Sequence, residues 1–278
     1  MARRIRLIDE PVSRFAAWSR RLALFALAVA ALSIVIVRSG LMEIVPALTT
    51  FAAALIFAAL AVLLSLPAYV VIWRHGRTGL GSAISGMVLG LLLLVYPAYL
   101  GYKATKLPPI SDITTDPANP PRFDTLARLR PSDRLVYPGA AAAQMQQQAY
   151  PDVVPLQVNA PVTVTYDIAL KLVTKRKWHV ADARPPGPGR RDAIIEATAR
   201  TPIMGFRDDV VIRVSPSSDG ARVDMRSASR YGLYDFGANA ARVRGLLEDL
   251  DDAGGAAPEP RPEPVKMVQP APKRPPKR

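Results

Sequence analysis

The chain has 278 residues, half of them apolar, with no cysteine and a formal net charge of +13 at pH 7. The lack of cysteine excludes disulfide bonds, thiolate catalysis, iron–sulfur clusters and cysteine-based zinc sites. The basic excess lies in the first 107 and the last 25 residues, whereas residues 108–253 hold nearly equal numbers of acidic and basic side chains. We therefore expect no nucleic-acid partner, because the charge does not belong to a basic globular surface.

Three long, largely uncharged apolar runs occupy the first 107 residues. Each is long enough to cross a hydrocarbon core of about 30 Å, so we predict transmembrane helices at about 16–37, 46–72 and 82–102. The second and third runs contain none of the ionisable residues that mark a transport path. Residues 1–107 are therefore predicted to form a membrane anchor, and the lipid bilayer is the first expected partner.

The basic residues that flank the predicted spans are unevenly distributed. Eight arginines lie in the amino-terminal segment and in the loop between the second and third spans, against three basic residues at the opposite ends. Cytoplasmic flanks collect Lys and Arg, which places the amino terminus in the cytoplasm. We expect a multi-pass protein of the bacterial inner membrane with a periplasmic carboxyl-terminal domain. A cleaved signal peptide is the alternative for the first span, but no small-x-small cleavage site follows Val37.

Residues 107–161 form a segment rich in proline, alanine and glutamine, which we call the arm. Repeated X-Pro steps favour extended backbone, so we expect a long arm with one short helix at 140–148, wrapped around the neighbouring domain. Residues 253–278 combine many prolines with basic side chains and have almost nothing to bury. They are predicted to be a disordered, basic, proline-rich tail.

The segment between the arm and the tail shows a helical pattern, then strands, then a second helical pattern. Apolar residues spaced four apart begin a helix at Pro161. Strands are predicted at 178–183, 193–199, 209–215 and 221–227, and the second helix at 236–250. We predict the α+β class: three transmembrane helices, then a two-layer domain at 108–252 with an antiparallel sheet of about four strands and two helices.

The densest group of polar residues lies between the last predicted strand and the last predicted helix. Guanidinium groups, hydroxyls and a helix N-terminus are what the binding of a phosphate or carboxylate requires. We therefore predict an anion-binding cluster formed by Arg226, Ser227, Ser229, Arg230, Asn239 and Arg242. The structural alternative is that Asp235 caps the helix, while Arg230 pairs with Asp235 or Asp208.

A second polar group consists of the carboxylates Glu196, Asp208, Asp209 and Asp235. Asp208 and Asp209 are neighbours on a predicted strand, so they point to opposite faces and form no acid–base pair on one face. We expect Glu196 to pair across the sheet with Arg213 or Arg226. A single histidine in the predicted domain is too few for a multi-histidine metal site. We expect neither a metal nor a cofactor, and no catalytic residue is assigned.

Several short stretches resemble a known family. They are ISDITTD and NPPRF within 110–123, YPD at 150–152, Trp178, IEAT at 195–198, GFRDDVVIRV at 205–214, and RSASR through DFGANAARVR within 226–244. This pattern resembles the bacterial and plastid family of unknown function catalogued as DUF1499, over residues 108–252. The resemblance implies that the arm belongs to the domain and that the polar clusters at 208–209 and 226–239 are family features. The family has no established activity, so it assigns no catalytic role.

These observations favour a non-enzymatic module. Three helices would hold the domain on the outer face of the cytoplasmic membrane, where it binds an anionic ligand or an envelope protein. The alternative from another class is a cell-envelope hydrolase or transferase acting on a lipid or cell-wall polymer, with Glu196, Asp208 and Asp209 as acid–base residues. A third alternative is a scaffold subunit whose spans pack against other membrane proteins.

Overall fold

The computed structural model of the protein describes residues 11–40, 44–130, 134, 136–188 and 192–255. The arginines before residue 11 that entered the topology prediction lie outside the described residues, and so does the predicted tail beyond Gly255. The described residues form three long helices followed by a domain of helices and one sheet.

The amino-terminal part consists of the helices α1 Arg14–Ser39, α2 Ile44–His75 and α3 Leu80–Lys106. Each is long and apolar enough to cross a membrane, and each extends a few residues past both ends of its predicted span. A backbone hydrogen bond from Ser13 to the Thr78 carbonyl, of 2.9 Å, joins the start of α1 to the loop between α2 and α3. The three helices thus identify a membrane protein.

Small residues line the contacts between the three helices. The residues that α1 buries are spaced three and four apart on one face: Ala16, Ser19, Ala23, Ala26, Ala30, Ser33 and Val37. Ser19 Oγ donates to the carbonyl of Ala61 at 2.7 Å, and Gly86 of α3 lies against the Ser19 backbone. Many large apolar side chains of the helices are exposed on the outside. This distribution is what helix packing in lipid requires, because small residues let the backbones approach closely.

The described residues of the domain form one antiparallel sheet and three helices. Its strands are β1 Asp112–Thr114, β2 Leu156–Val158, β3 His179–Arg184, β4 Ala193–Arg200, β5 Arg207–Ser217 and β6 Gly220–Ser229. Its helices are α4 Ala140–Ala149, α5 Val162–Lys175 and α6 Ala238–Gly255, and a 3₁₀ turn spans Leu126–Leu129. The predicted α+β class is confirmed, together with the helix in the arm, the four longer strands and the two flanking helices.

The strands follow the order β1-β6-β5-β4-β3, and β2 also pairs with β6. Every pairing is antiparallel. The described sheet therefore has six strands rather than about four, and both additional strands, β1 and β2, come from the arm. They contain three residues each, which is too short for an alternating pattern to be visible in the sequence.

The two faces of the sheet are covered by different parts of the chain. Helices α5 and α6 pack on one face, which we call the helix face, and form the main apolar core with residues such as Ile212. The arm covers the other face, which we call the arm face, where Phe123 and Leu126 contact Val211 and Ala228. The arm thus wraps the domain as the sequence predicts.

One end of the domain adjoins the ends of the long helices. In the loop between β4 and β5, the carbonyl of Pro202 accepts a hydrogen bond from Arg38 Nη1 at 2.8 Å, and Met204 packs against the ends of α1 and α2. Leu107, directly after α3, lies against Gly237. We call this the helix-proximal end of the domain. Because α1 and α3 both end here, a membrane crossed by these helices has its surface beside this end.

Candidate functional site

The sheet divides the six residues of the predicted anion-binding cluster between its two faces. Successive residues of a strand point to opposite sides. The arm face therefore receives Arg226 and Arg230, and the helix face receives Ser227, Ser229, Asn239 and Arg242. The six residues form two separate groups rather than one constellation, and anion binding by either group stays a prediction.

On the arm face, five buried residues form what we call the arm-face cluster: Asp112, Arg130, Asp209, Arg226 and Arg230. Arg226 binds both oxygens of Asp112 at 2.9 and 2.7 Å. Arg230 binds both oxygens of Asp209 at 2.9 and 2.7 Å, and Arg130 Nη1 reaches Asp209 Oδ2 at 2.9 Å. None of the five is more than 8% exposed. Three guanidinium groups therefore share two carboxylates, and the cluster carries one excess positive charge.

Arg130 is the member of this cluster that sequence reasoning missed. It lies in the arm, 79 positions before Asp209, and no local pattern predicts that the two residues meet. Its guanidinium group lies 4.8 Å from the centre of the Phe123 ring, as does that of Arg226. Burial lowers the pKa of Arg130, although Asp209 and Asp112 oppose the shift. Desolvation thus outweighs the attraction of the two carboxylates at Arg130, whose other N–H groups donate to the backbone carbonyls of Arg134, Ala228 and Ser229.

On the helix face, Arg242 connects α6 to the ends of β5 and β6. Its Nη2 binds Asp208 at 2.6 Å, and its Nη1 donates to Ser227 Oγ at 2.9 Å. Ser227 Oγ donates to Asn239 Oδ1 at 2.8 Å, and Asn239 Nδ2 donates to Ser229 Oγ at 2.9 Å. These contacts tie the start of α6 to the ends of β5 and β6.

Asp235 caps the amino terminus of α6. Its oxygens accept hydrogen bonds from the backbone N–H groups of Gly237 and Asn239 at 2.8 and 3.0 Å. Burial raises the pKa of Asp235, and the two backbone hydrogen bonds oppose this shift. The capping role expected of Asp235 is confirmed.

Glu196 is fully buried on the arm face, but its partner is neither Arg213 nor Arg226, so that expectation was wrong. Its oxygens accept hydrogen bonds from three successive backbone N–H groups of residues 124–126 at 2.9 to 3.2 Å. Arg184, on the neighbouring strand β3, forms an ion pair with Glu196, with 3.3 Å between Arg184 Nη2 and Glu196 Oε1. Arg213 instead binds Asp116 and Asp224. Glu196 therefore anchors the start of the 3₁₀ turn to the sheet.

The carboxylates proposed for an acid–base role are all engaged in ion pairs. Asp208 and Asp209 lie on opposite faces, as the alternation predicts, and bind Arg242 and Arg230 respectively. The expectation that Arg230 pairs with Asp235 or Asp208 is corrected by this finding.

Within the part of the chain that the structure describes, no group of three or more His, Asp or Glu side chains is placed to hold a metal ion.

A cleft of about 320 Å³ opens at the helix-proximal end, between the arm and the end of β6. Buried Asp112, Arg130 and Ser229 line it together with Arg134. Its other lining residues are mainly apolar and include Ile110, Val136, Met145 and Leu233. The cleft thus places two residues of the arm-face cluster, Asp112 and Arg130, next to apolar side chains.

Comparison with known proteins identifies a family for the domain. No curated protein and no solved structure matches the chain. The model of the family described as "Protein of unknown function (DUF1499)" matches residues 112–250. The matched residues make up half of the chain and contain all six strands and the whole arm-face cluster. The chain therefore belongs to the DUF1499 family, as the resemblance of its sequence predicted.

Proposed function

We propose that the protein is a membrane-anchored, non-enzymatic binding module of the bacterial inner membrane, whose periplasmic domain captures an anionic ligand in the cleft at its helix-proximal end. The observation that carries this proposal is the excess positive charge of the arm-face cluster, in which three buried guanidinium groups share two carboxylates and from which Arg130 and Asp112 line the cleft. A buried charge in excess of its counter-charges is costly even where backbone carbonyls accept its hydrogen bonds, and an anion bound in the cleft would offset that cost.

The contacts of the carboxylates favour binding over hydrolysis. A general acid or base must reach a substrate within hydrogen-bond distance. Glu196 instead accepts three backbone hydrogen bonds from the arm, and Asp208 and Asp209 bind guanidinium groups. These contacts support a structural role for the three residues.

The size of the cleft favours a small ligand over a protein partner. A volume of about 320 Å³ is at the lower end of the range typical of small-molecule sites. Stable protein–protein interfaces, in contrast, bury about 800 Å² on each partner. The cleft therefore fits a small anionic ligand better than an envelope protein or a partner subunit of a scaffold.

Calorimetric titration of the detergent-solubilised full chain with inorganic phosphate tests the proposal. We expect saturable binding that weakens about tenfold when Arg134→Gln removes a guanidinium group from the cleft, the size of effect that one charge-assisted hydrogen bond gives. Near-ultraviolet circular dichroism verifies that the variant is folded.

The matched control is Arg244→Gln. Arg244 forms an exposed ion pair with Asp152 and does not line this cleft, so phosphate binding should be unchanged. A wild-type chain that does not bind phosphate would overturn the proposed function. Equal losses of phosphate affinity in the two variants would overturn it as well.

A further inference from the structure

Resting on the proposed function, we infer that the captured anion is the phosphate of an anionic phospholipid from the leaflet beside the helix-proximal end, and that the apolar rim of the cleft holds the adjoining part of the acyl region. Three features of the described residues lead to this ligand: the position of the cleft, the exposure of its rim and the charge around it.

The cleft lies immediately next to the end of a membrane-spanning helix. Pro109 and Ile110 line it, and α3 ends only three residues before Pro109, at Lys106. The headgroup layer on each side of a bilayer is about 5–8 Å thick, so a cleft this close to the end of α3 lies at headgroup level. A phospholipid can reach it without leaving its leaflet.

The rim of the cleft exposes large apolar side chains. Val136 is 79% exposed and Leu233 is 68% exposed, and both line the cleft. Leu129, Tyr231 and Tyr234 are also exposed in the same two segments of the chain. Such a concentration at one end marks an interaction surface, and tyrosines are typical of the membrane interface. A small water-soluble phosphate compound would leave these side chains in water, whereas an acyl chain would cover them.

The charges around the cleft favour an anionic lipid over a neutral one. Lys103 and Lys106 lie in the last turn of α3, and Arg134 lines the cleft beside buried Arg130. Basic residues at this level attract anionic headgroups, and the planar guanidinium group suits two phosphate oxygens. A phospholipid supplies both the phosphate for the cluster and the apolar chain for the rim.

Native mass spectrometry of the full chain, titrated with phosphatidylglycerol or phosphatidylcholine in detergent, tests the inference. We expect phosphatidylglycerol to bind at least about tenfold more tightly than phosphatidylcholine, because only the first lipid carries a net negative charge. The double variant Val136→Ser with Leu233→Ser should lower the affinity for phosphatidylglycerol by about tenfold, since it removes the apolar rim without adding charge.

The matched control is Val154→Ser. Val154 is similarly exposed, at 55%, but it lies in a different cleft formed with α6, so phosphatidylglycerol binding should not change. If phosphate binds in the calorimetric titration but phosphatidylglycerol is not preferred, the phospholipid assignment is wrong and the anion-binding function stands. Unchanged phosphatidylglycerol binding in the rim variant would also show that the phospholipid assignment is wrong. If inorganic phosphate does not bind, the proposed function fails, and the phospholipid assignment, which rests on it, fails as well.

Discussion

Asp209 is one of the buried residues that hold the arm to the sheet. Arg130 of the arm, Arg230 after β6 and Thr198 of β4 all donate hydrogen bonds to its carboxylate. Asp209→Asn keeps the shape of the side chain but leaves two buried guanidinium groups without their shared negative charge. We expect the full chain to lose about 3–5 kcal/mol of unfolding free energy, measured by urea unfolding in detergent.

Asp152→Asn is the control for this substitution. Asp152 pairs with Arg244, but its side chain is 56% exposed, so solvent screens the pair and its loss should cost less than about 1 kcal/mol. Equal losses in the two variants would contradict the view that burial makes the Asp209 contacts important.

At the level of elements, the packing of α3 against α1 depends on Gly86. A Cβ atom at this position would lie 2.7 Å from the backbone carbonyl carbon of Ser19, so Gly86→Ala must push the two helices apart. We expect a lower midpoint of thermal unfolding in detergent. Gly101→Ala, in the same helix, meets no atom within 4 Å and should leave the midpoint unchanged or raise it, because alanine favours the helix by up to about 1 kcal/mol. The interface assignment fails if Gly86→Ala is as stable as Gly101→Ala.

The elements also show which parts of the fold can be predicted from local sequence patterns. The three spans, the four longer strands and helix α5 could be predicted within a few residues, because their apolar periodicity is contained in the segment itself. The pairing of β1 with β6 and the contact of Glu196 with residues 124–126 could not, since they join parts of the chain about 70 or more positions apart.

Alternation along a strand predicted that Asp208 and Asp209 lie on opposite faces. The same rule, applied to 226–230, would have separated Arg226 and Arg230 from Ser227 and Ser229. The separation into two polar groups at the helix-proximal end could thus have been predicted from the sequence. The third guanidinium group of the arm-face cluster, from Arg130, could not.

For the whole molecule, the position of the domain relative to the membrane decides which leaflet the cleft faces. The helix-proximal end is joined to α1 by the contacts of Arg38 and to α3 by the short connection through Leu107. The anchor therefore fixes the cleft next to one leaflet rather than leaving it on a free tether. The direction in which the helices cross then determines whether the ligand comes from the cytoplasmic or the periplasmic leaflet.

We predict that the cleft faces the periplasmic leaflet, because the eight arginines before and at the start of α1, at the end of α2 and in the loop that follows outnumber the three basic residues at the other ends. Alkaline phosphatase, which is active only outside the cytoplasm, should be active when fused after Arg278 and inactive when fused after His75. Green fluorescent protein, exported unfolded and therefore dark in the periplasm, should give the opposite pattern at the same two positions. Fluorescence from the fusion after Arg278 would show that the domain lies in the cytoplasm. The phospholipid would then come from the cytoplasmic leaflet.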